Sequence, residues 1–294
     1  MYNDVIRLVK SRSEAIFLWS WGTLISCLIA GQGFPSIYST LIAVSSVAFL
    51  TASVYLYNDI IDREMDTLNP DKGKRPIATG KVSVGFAQRF VFVAAIIGSA
   101  LMLLNGIQAF VWAFSYYALF FIYSYPGIRL KRLFIVKELV ISMAFPLLSL
   151  AGAAAVTGGF YAPCLYAGIL TGAFLFCALP ALNEAFDVKE DLLYEIKSLA
   201  VVLNWKTRVQ MLAFGVLMLI VVTPSTYSWF GFNTALPVVI VAASLVVLRF
   251  IVPIYGEFDR GSAYQARRIF KIYFFLVQIM MVVGNMALPI LNLF

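Results

Sequence analysis

Long uncharged stretches alternate with short charged ones along this chain. Asp, Glu, Lys and Arg are absent from 15–58, 90–128, 139–183, 209–248 and 272–294. A membrane-spanning helix needs roughly 20 apolar residues, and the first four stretches are each about twice that long. Each therefore predicts a hairpin of two helices. Turn signals fall at their middles: Gly31-Gln32-Gly33-Phe34-Pro35, Asn105-Gly106, Thr157-Gly158-Gly159, and Thr223-Pro224 onward to Gly231-Phe232-Asn233. The last stretch fits one span. The pattern predicts an all-α integral membrane protein with about nine transmembrane helices.

The charged residues are confined to the start of the chain and to connections near 59–89, 129–138, 184–208 and 249–271. The hairpin turns carry none, so every charged loop falls on one face. The Lys/Arg bias predicts that this face is cytoplasmic. The N-terminus is then inside and, with an odd number of spans, the C-terminus outside. Residues 1–14 are basic but do not read as a signal peptide, because no soluble domain follows the first apolar run.

Composition agrees. The 294 residues are 62% hydrophobic and 13% charged, where soluble domains carry about 25% charged residues. The net charge of +7 follows from basic residues flanking membrane spans, and no nucleic-acid partner is expected. Cys27, Cys164 and Cys177 lie in apolar surroundings without metal-ligand spacing, so they read as packing residues. There is no histidine. That excludes imidazole acid–base catalysis, histidine-bound zinc and histidine-ligated haem.

The chemistry must then lie with carboxylates and cations. Asn58, Asp62 and Asp66 are four apart and form one ridge on a helix. Three oxygen-bearing side chains at the edge of an apolar span suit a hard divalent cation. Pro70 and Gly73 end that helix, and Lys72, Lys74 and Arg75 follow. A carboxylate ridge next to a basic loop suits a phosphate ester bridged by magnesium; a solvated loop of mutually paired charges would show the same pattern. The spacing returns about 125 residues later as Asn183, Asp187 and Asp191, with Lys197 and Ser198 beyond. Both motifs follow an even-numbered helix, which suggests an internal repeat. Two such ridges facing each other could hold two cations and one diphosphate. A third cluster, Tyr123 to Arg132, ends the fourth span on the same face. It reads either as an aromatic belt with a basic loop or as a second set of phosphate contacts. The 25 Phe and 15 Tyr could line a chamber for a hydrocarbon.

With both motifs, the Arg75-Pro76-x3-Gly80 segment and the Tyr123-Ser124-x-Pro126-x3-Leu130-Lys131 segment in view, the chain resembles the UbiA family of intramembrane prenyltransferases over nearly its whole length. The resemblance implies a single domain, 1–294, with its helices around a central chamber and cytoplasmic cap loops. It implies that Asn58, Asp62, Asp66, Asp187 and Asp191 bind two Mg2+ ions, which hold the diphosphate of a polyprenyl donor. Arg75, Lys131 and Lys197 match basic positions near that diphosphate, with Lys74 beside them, and Tyr123 matches an aromatic near the site. Asp62, Asp187, Lys131 and Tyr123 are the candidate catalytic residues. The implied reaction is ionisation-assisted transfer of the prenyl group to a lipophilic acceptor in the membrane lipid, either an aromatic or quinone precursor or a glycerophosphate lipid. Two departures leave the acceptor class open. Glu184 stands where the first motif has Asp59, and Glu190 and Glu195 stand where the family often has glycine.

Two other classes fit the pattern less well. An ion-coupled secondary transporter also uses acidic residues at broken helices, but these acids sit at one face and no uncharged stretch holds a carboxylate. A phospholipid-type phosphotransferase would carry a Gly-Ala-Arg-rich aspartate motif, which is absent.

Overall fold

The computed structural model describes residues 2–69 and 72–286. The described chain is helical, in the order α1 (Tyr2–Ser11), α2 (Ser13–Ala30), α3 (Ile37–Ile61), α4 (Arg63–Leu68), α5 (Val84–Leu103), α6 (Ile107–Ser124), α7 (Val136–Thr157), α8 (Ala162–Leu182), α9 (Val188–Leu193), α10 (Leu199–Val202), α11 (Trp205–Thr226), α12 (Ala235–Leu248) and α13 (Arg260–Asn285). The four predicted hairpins are α2/α3, α5/α6, α7/α8 and α11/α12, each turning at its predicted break. Gly106 and Gly158 take positive φ at two of these turns, a conformation glycine adopts without a Cβ penalty.

Eight helices among the described residues are long and apolar enough to cross a membrane. The final helix, α13, packs against α2, α8 and α12 in the same bundle. It starts earlier than the uncharged stretch at 272 suggested. Its first half carries Arg260, Arg267, Arg268 and Lys271, and its first turn is capped by the Asp259 carboxylate, which accepts the Ser262 N–H at 2.7 Å. A charged first half and an apolar second half are compatible with one helix when only the second half is in lipid. Residues 287–294 of the expected last span lie outside the described residues.

The centre of the bundle is α7 and α8, which the other long helices surround. Gly168 and Gly172 of α8 lie against Pro146 and Ser142 of α7. A Cβ at Gly172 would stand 2.5 Å from the Ser142 carbonyl oxygen. The two backbones therefore touch, as small-residue interfaces between membrane helices allow. Trp19 of α2 fills the space beside them, with Tyr116, Phe120 and Phe145 ring centres 5.0–5.8 Å away. Its indole N–H donates to the Tyr55 hydroxyl at 2.8 Å. Some polar side chains at membrane depth find backbone partners inside the protein, as hydrocarbon surroundings favour: Ser53 donates to the Val91 carbonyl at 2.8 Å and Asn285 to that of Ile29 at 2.7 Å. All three cysteines are free and buried, in keeping with a packing role.

Candidate active site

In each hairpin carrying a motif, the motif's middle aspartate occupies a helix junction. Helix α3 ends at Ile61, Asp62 occupies the junction, and α4 restarts at Arg63. Helix α8 ends at Leu182, a 3-10 turn spans Glu184–Phe186, and Asp187 occupies the junction before α9. The sequence predicted a continuous ridge in each case. The ridge of the first motif survives the break, because the Asp62 N–H still bonds the Asn58 carbonyl at 2.9 Å and the Asp66 N–H that of Asp62 at 2.8 Å. In the second motif the turn tightens: the Asp187 N–H bonds the Glu184 carbonyl, three residues back, at 3.0 Å.

Basic side chains close on both motifs. Asp62 accepts from Lys131, and from Arg129 at 3.1 Å, while Asn58 donates to it at 2.8 Å and to Ser124 at 2.9 Å. Arg75 bridges Asp59 at 2.9 Å and Asp66 at 2.7 Å, and Arg12 makes a two-pronged contact with Asp59. Lys72 reaches across to the second motif, 3.2 Å from Asp187 and 2.8 Å from Glu190. Asn69 also donates to Glu190, so the loop after the first motif is tied to the second. Lys137, in the first turn of α7, lies 2.8 Å from Asp191 and 3.3 Å from Glu184. Ser198 donates to the same Asp191 oxygen at 2.8 Å.

Of the sequence-predicted residues, Asn58, Asp62, Asp66, Arg75, Lys131, Asp187 and Asp191 are brought into this network. Tyr123 is half-buried in the last turn of α6, its ring centre 6.0 Å from that of Phe120, and its hydroxyl makes no hydrogen bond to this network among the described residues. Lys74 and Lys197 are exposed and make no ion pair among the described residues. Arg129 belongs to the Tyr123–Arg132 cluster that the sequence singled out; sequence reasoning gave no role to Arg12, Asp59, Lys137 and Glu138. A charged Lys137-Glu138 pair opening an otherwise uncharged helix was the available signal: Lys137 is buried, and Glu138 is wholly buried with its carboxylate accepting the Leu199 N–H at 2.6 Å.

The electrostatics follow from burial in a crowded charge field. Burial pushes Asp66 up to about 6, against the pull of Arg75. Burial lowers the Lys131 ammonium below the ordinary lysine value, and Asp62 only partly offsets this. For Lys72, burial acts the same way, but Asp187 and Glu190 outweigh it and hold the ammonium above its ordinary value.

The donor set fits a hard divalent cation. It is all oxygen, and Glu184 Oε2 and Glu190 Oε1 are each buried with neither a hydrogen bond nor an ion pair, a costly state that a cation's coordination would relieve. Among the described residues no three acidic side chains converge on one metal position. The carboxylates are drawn to lysine and arginine instead.

A cavity of about 710 Å3 adjoins the network between α2, α3, α8 and α13. Its lining is polar at Arg12, Tyr55, Asn183 and Asp187 and apolar at Phe17, Phe174, Leu179, Phe270, Phe274 and Phe275.

Comparison with known proteins agrees with the all-helical membrane fold. The family model that matches is that of the UbiA prenyltransferases, over residues 19–279. The chain is 27% identical over 259 residues to a digeranylgeranylglyceryl phosphate synthase of Sulfolobus acidocaldarius, covering 86% of this chain and 87% of that protein. It is 33% identical over 144 residues to a 4-hydroxybenzoate octaprenyltransferase of Pseudomonas fluorescens, covering 48% of this chain and 47% of that one. The fold matches a solved digeranylgeranylglyceryl phosphate synthase (TM-score 0.75, 20% identity, 97% of this chain and 100% of that one). It also matches a UbiA homologue of Archaeoglobus fulgidus bound to DMAPP and Mg2+ (TM-score 0.73, 17% identity, 96% and 97%).

Proposed function

This chain belongs to the UbiA prenyltransferase family, and from that premise we propose that it moves a polyprenyl group from its diphosphate to the hydroxyl of a glycerophosphate lipid, at the charged end of the bundle. The observation that carries this reading is the meeting of two aspartate motifs from separate hairpins, tied through Lys72. The proposed catalytic residues are Asp62, Asp187, Lys131 and Tyr123. Asn58, Asp62, Asp66, Asp187 and Asp191 would hold Mg2+, in two ions; a UbiA homologue of A. fulgidus is bound to DMAPP and Mg2+. When bound, Mg2+ supplies positive charge to the diphosphate oxygens and makes them a better leaving group.

The chain's own cations complete the binding of the donor. Arg75, Arg129 and Lys131 are side chains now paired with carboxylates, and each can turn its N–H donors to a phosphate oxygen. Lys74 and Lys197 extend this basic rim. In the transfer, the bond between C1 of the donor and its bridging oxygen breaks, and the electron pair leaves with diphosphate. The acceptor oxygen bonds to C1, and its proton passes to diphosphate or water. The apolar bundle keeps water from competing for the cation-like C1.

The acceptor assignment rests on the near full-length similarity to digeranylgeranylglyceryl phosphate synthases. An aromatic acid is the second reading, favoured by the higher identity over half the chain. The charged face is proposed to be cytoplasmic, from its Lys/Arg excess. The helix junction at both Asp62 and Asp187 supports an internal repeat within one domain. The test is incubation of the purified protein with Mg2+, a labelled prenyl diphosphate and a panel of acceptors, with products weighed by mass spectrometry. A prenyl ether of a monoprenylated glyceryl phosphate is expected. Prenylated 4-hydroxybenzoate alone would overturn the acceptor, and no product with any acceptor would overturn the activity.

A further inference from the structure

Three cations line the cavity: Arg12, Arg267 and Lys271. Their commitments differ. Arg12 is engaged by Asp59 through two nitrogens. Lys271 approaches Glu14 at 4.0 Å, with both side chains more than half exposed, a contact worth little in water. Arg267 makes no ion pair among the described residues. Its guanidinium rests over the Phe186 ring, 5.8 Å from the ring centre, which steadies it by a cation–π contact. Phe186 directly precedes Asp187, so Arg267 is held beside the second motif. Asp187 itself is taken by Lys72.

We propose that Arg267, assisted by Lys271, is the anion site for the second substrate, and that this substrate is an anionic amphiphile. The inference rests on the prenyltransferase reading and adds to it the place and charge of the acceptor. The donor's diphosphate has its cations on the first motif's side, in Arg75, Arg129 and Lys131. A separate half-buried guanidinium in the lining of the cavity serves a different anion. The planar fork of arginine suits either a phosphate monoester or a carboxylate, each of which it can bind through two nitrogens. The cavity's composition states the remainder of the ligand: a charged head at Arg267 and an apolar body against Phe270, Phe274 and Phe275 of the same helix. Two acceptors share this chemistry, a glyceryl phosphate lipid and a hydrophobic aromatic acid.

The test uses the full chain in nanodiscs of phosphatidylcholine. Dodecyl phosphate and dodecanol are titrated against wild type, Arg267→Gln, Arg267→Lys and Arg268→Gln; Arg268 does not line the cavity. Arg267→Gln is expected to weaken dodecyl phosphate by about tenfold or more, the loss of one charge-assisted contact. Arg267→Lys should keep part of the affinity, Arg268→Gln all of it, and dodecanol should bind all four alike. In turnover, the KM for whichever of the two acceptors is used should rise in Arg267→Gln while the KM for prenyl diphosphate holds, and the acceptor used identifies the anion's source. Unchanged dodecyl phosphate affinity in Arg267→Gln overturns the site. Failure of wild type to prenylate either acceptor would instead count against the activity, with the binding titration still deciding on Arg267.

Discussion

Lys137 is the clearest place to perturb this architecture. Its ammonium lies 2.8 Å from Asp191 and 3.3 Å from Glu184, and both carboxylates are 4% exposed. Lys137→Met keeps the apolar stem and removes the charge. Deleting one partner of a buried ion pair leaves the other charge without compensation and costs about 3–5 kcal/mol. In a chain of this size each kcal/mol moves Tm by roughly 2–4 °C, so the expected fall is roughly 6–20 °C. The double variant Lys137→Met/Glu184→Gln should recover part of it, because Asp191 then remains alone and still accepts from Ser198. Coupling of about 1–2 kcal/mol between the two sites is expected. Thermal unfolding followed by tryptophan fluorescence, at one scan rate in one detergent, reads both numbers. A fall of under about 2 °C in Lys137→Met, or strict additivity in the double variant, would refute the reasoning.

Two further outcomes are expected. Glu195 is exposed and holds φ of 55°, a left-handed conformation that costs an L-residue about 1–2 kcal/mol. Glu195→Gly should therefore raise stability by about 1 kcal/mol, and a lower Tm would contradict this. Asp66, with its pKa raised to about 6, holds its proton in the folded chain where the unfolded chain has lost it. Between the ordinary carboxylate value and about 6 it thus favours folding more as pH falls. A cation must displace that proton, so Mg2+ affinity measured calorimetrically should drop about tenfold from pH 7.5 to pH 5. An affinity independent of pH over that range would remove Asp66 from the ligand set.

The hairpins were legible because each uncharged stretch is twice a span and its break carries Gly, Asn or Pro. The two motifs were legible because four-residue spacing survives a helix break when the next turn resumes the same hydrogen bonds, as at Asp62 and Asp66. The start of α13 was misplaced because the charge count treats Arg267 and Lys271 as loop, whereas a helix can begin in the polar layer. The partners of the carboxylates were the least legible part. Arg12 meets Asp59 across 47 residues, Lys137 meets Asp191 across 54, and Lys72 meets Glu190 across 118. No local periodicity encodes such pairings: the first two join the open ends of one hairpin, and the third arises only when separate hairpins are packed. Glu195 shows the converse case. The glycine expected there by resemblance corresponds to a left-handed backbone that the chain retains without glycine.

If both aspartate motifs act in one Mg2+-dependent prenyl transfer, as proposed, disabling either one stops it. The direct measurement is release of diphosphate from a labelled prenyl diphosphate in the presence of acceptor, for wild type, Asp62→Asn and Asp187→Asn, each with Mg2+ and with chelator. Wild type should release diphosphate only with Mg2+, and each variant should lose at least about 100-fold in rate while still unfolding cooperatively. Full activity in both variants, or release that persists in chelator, would contradict the account.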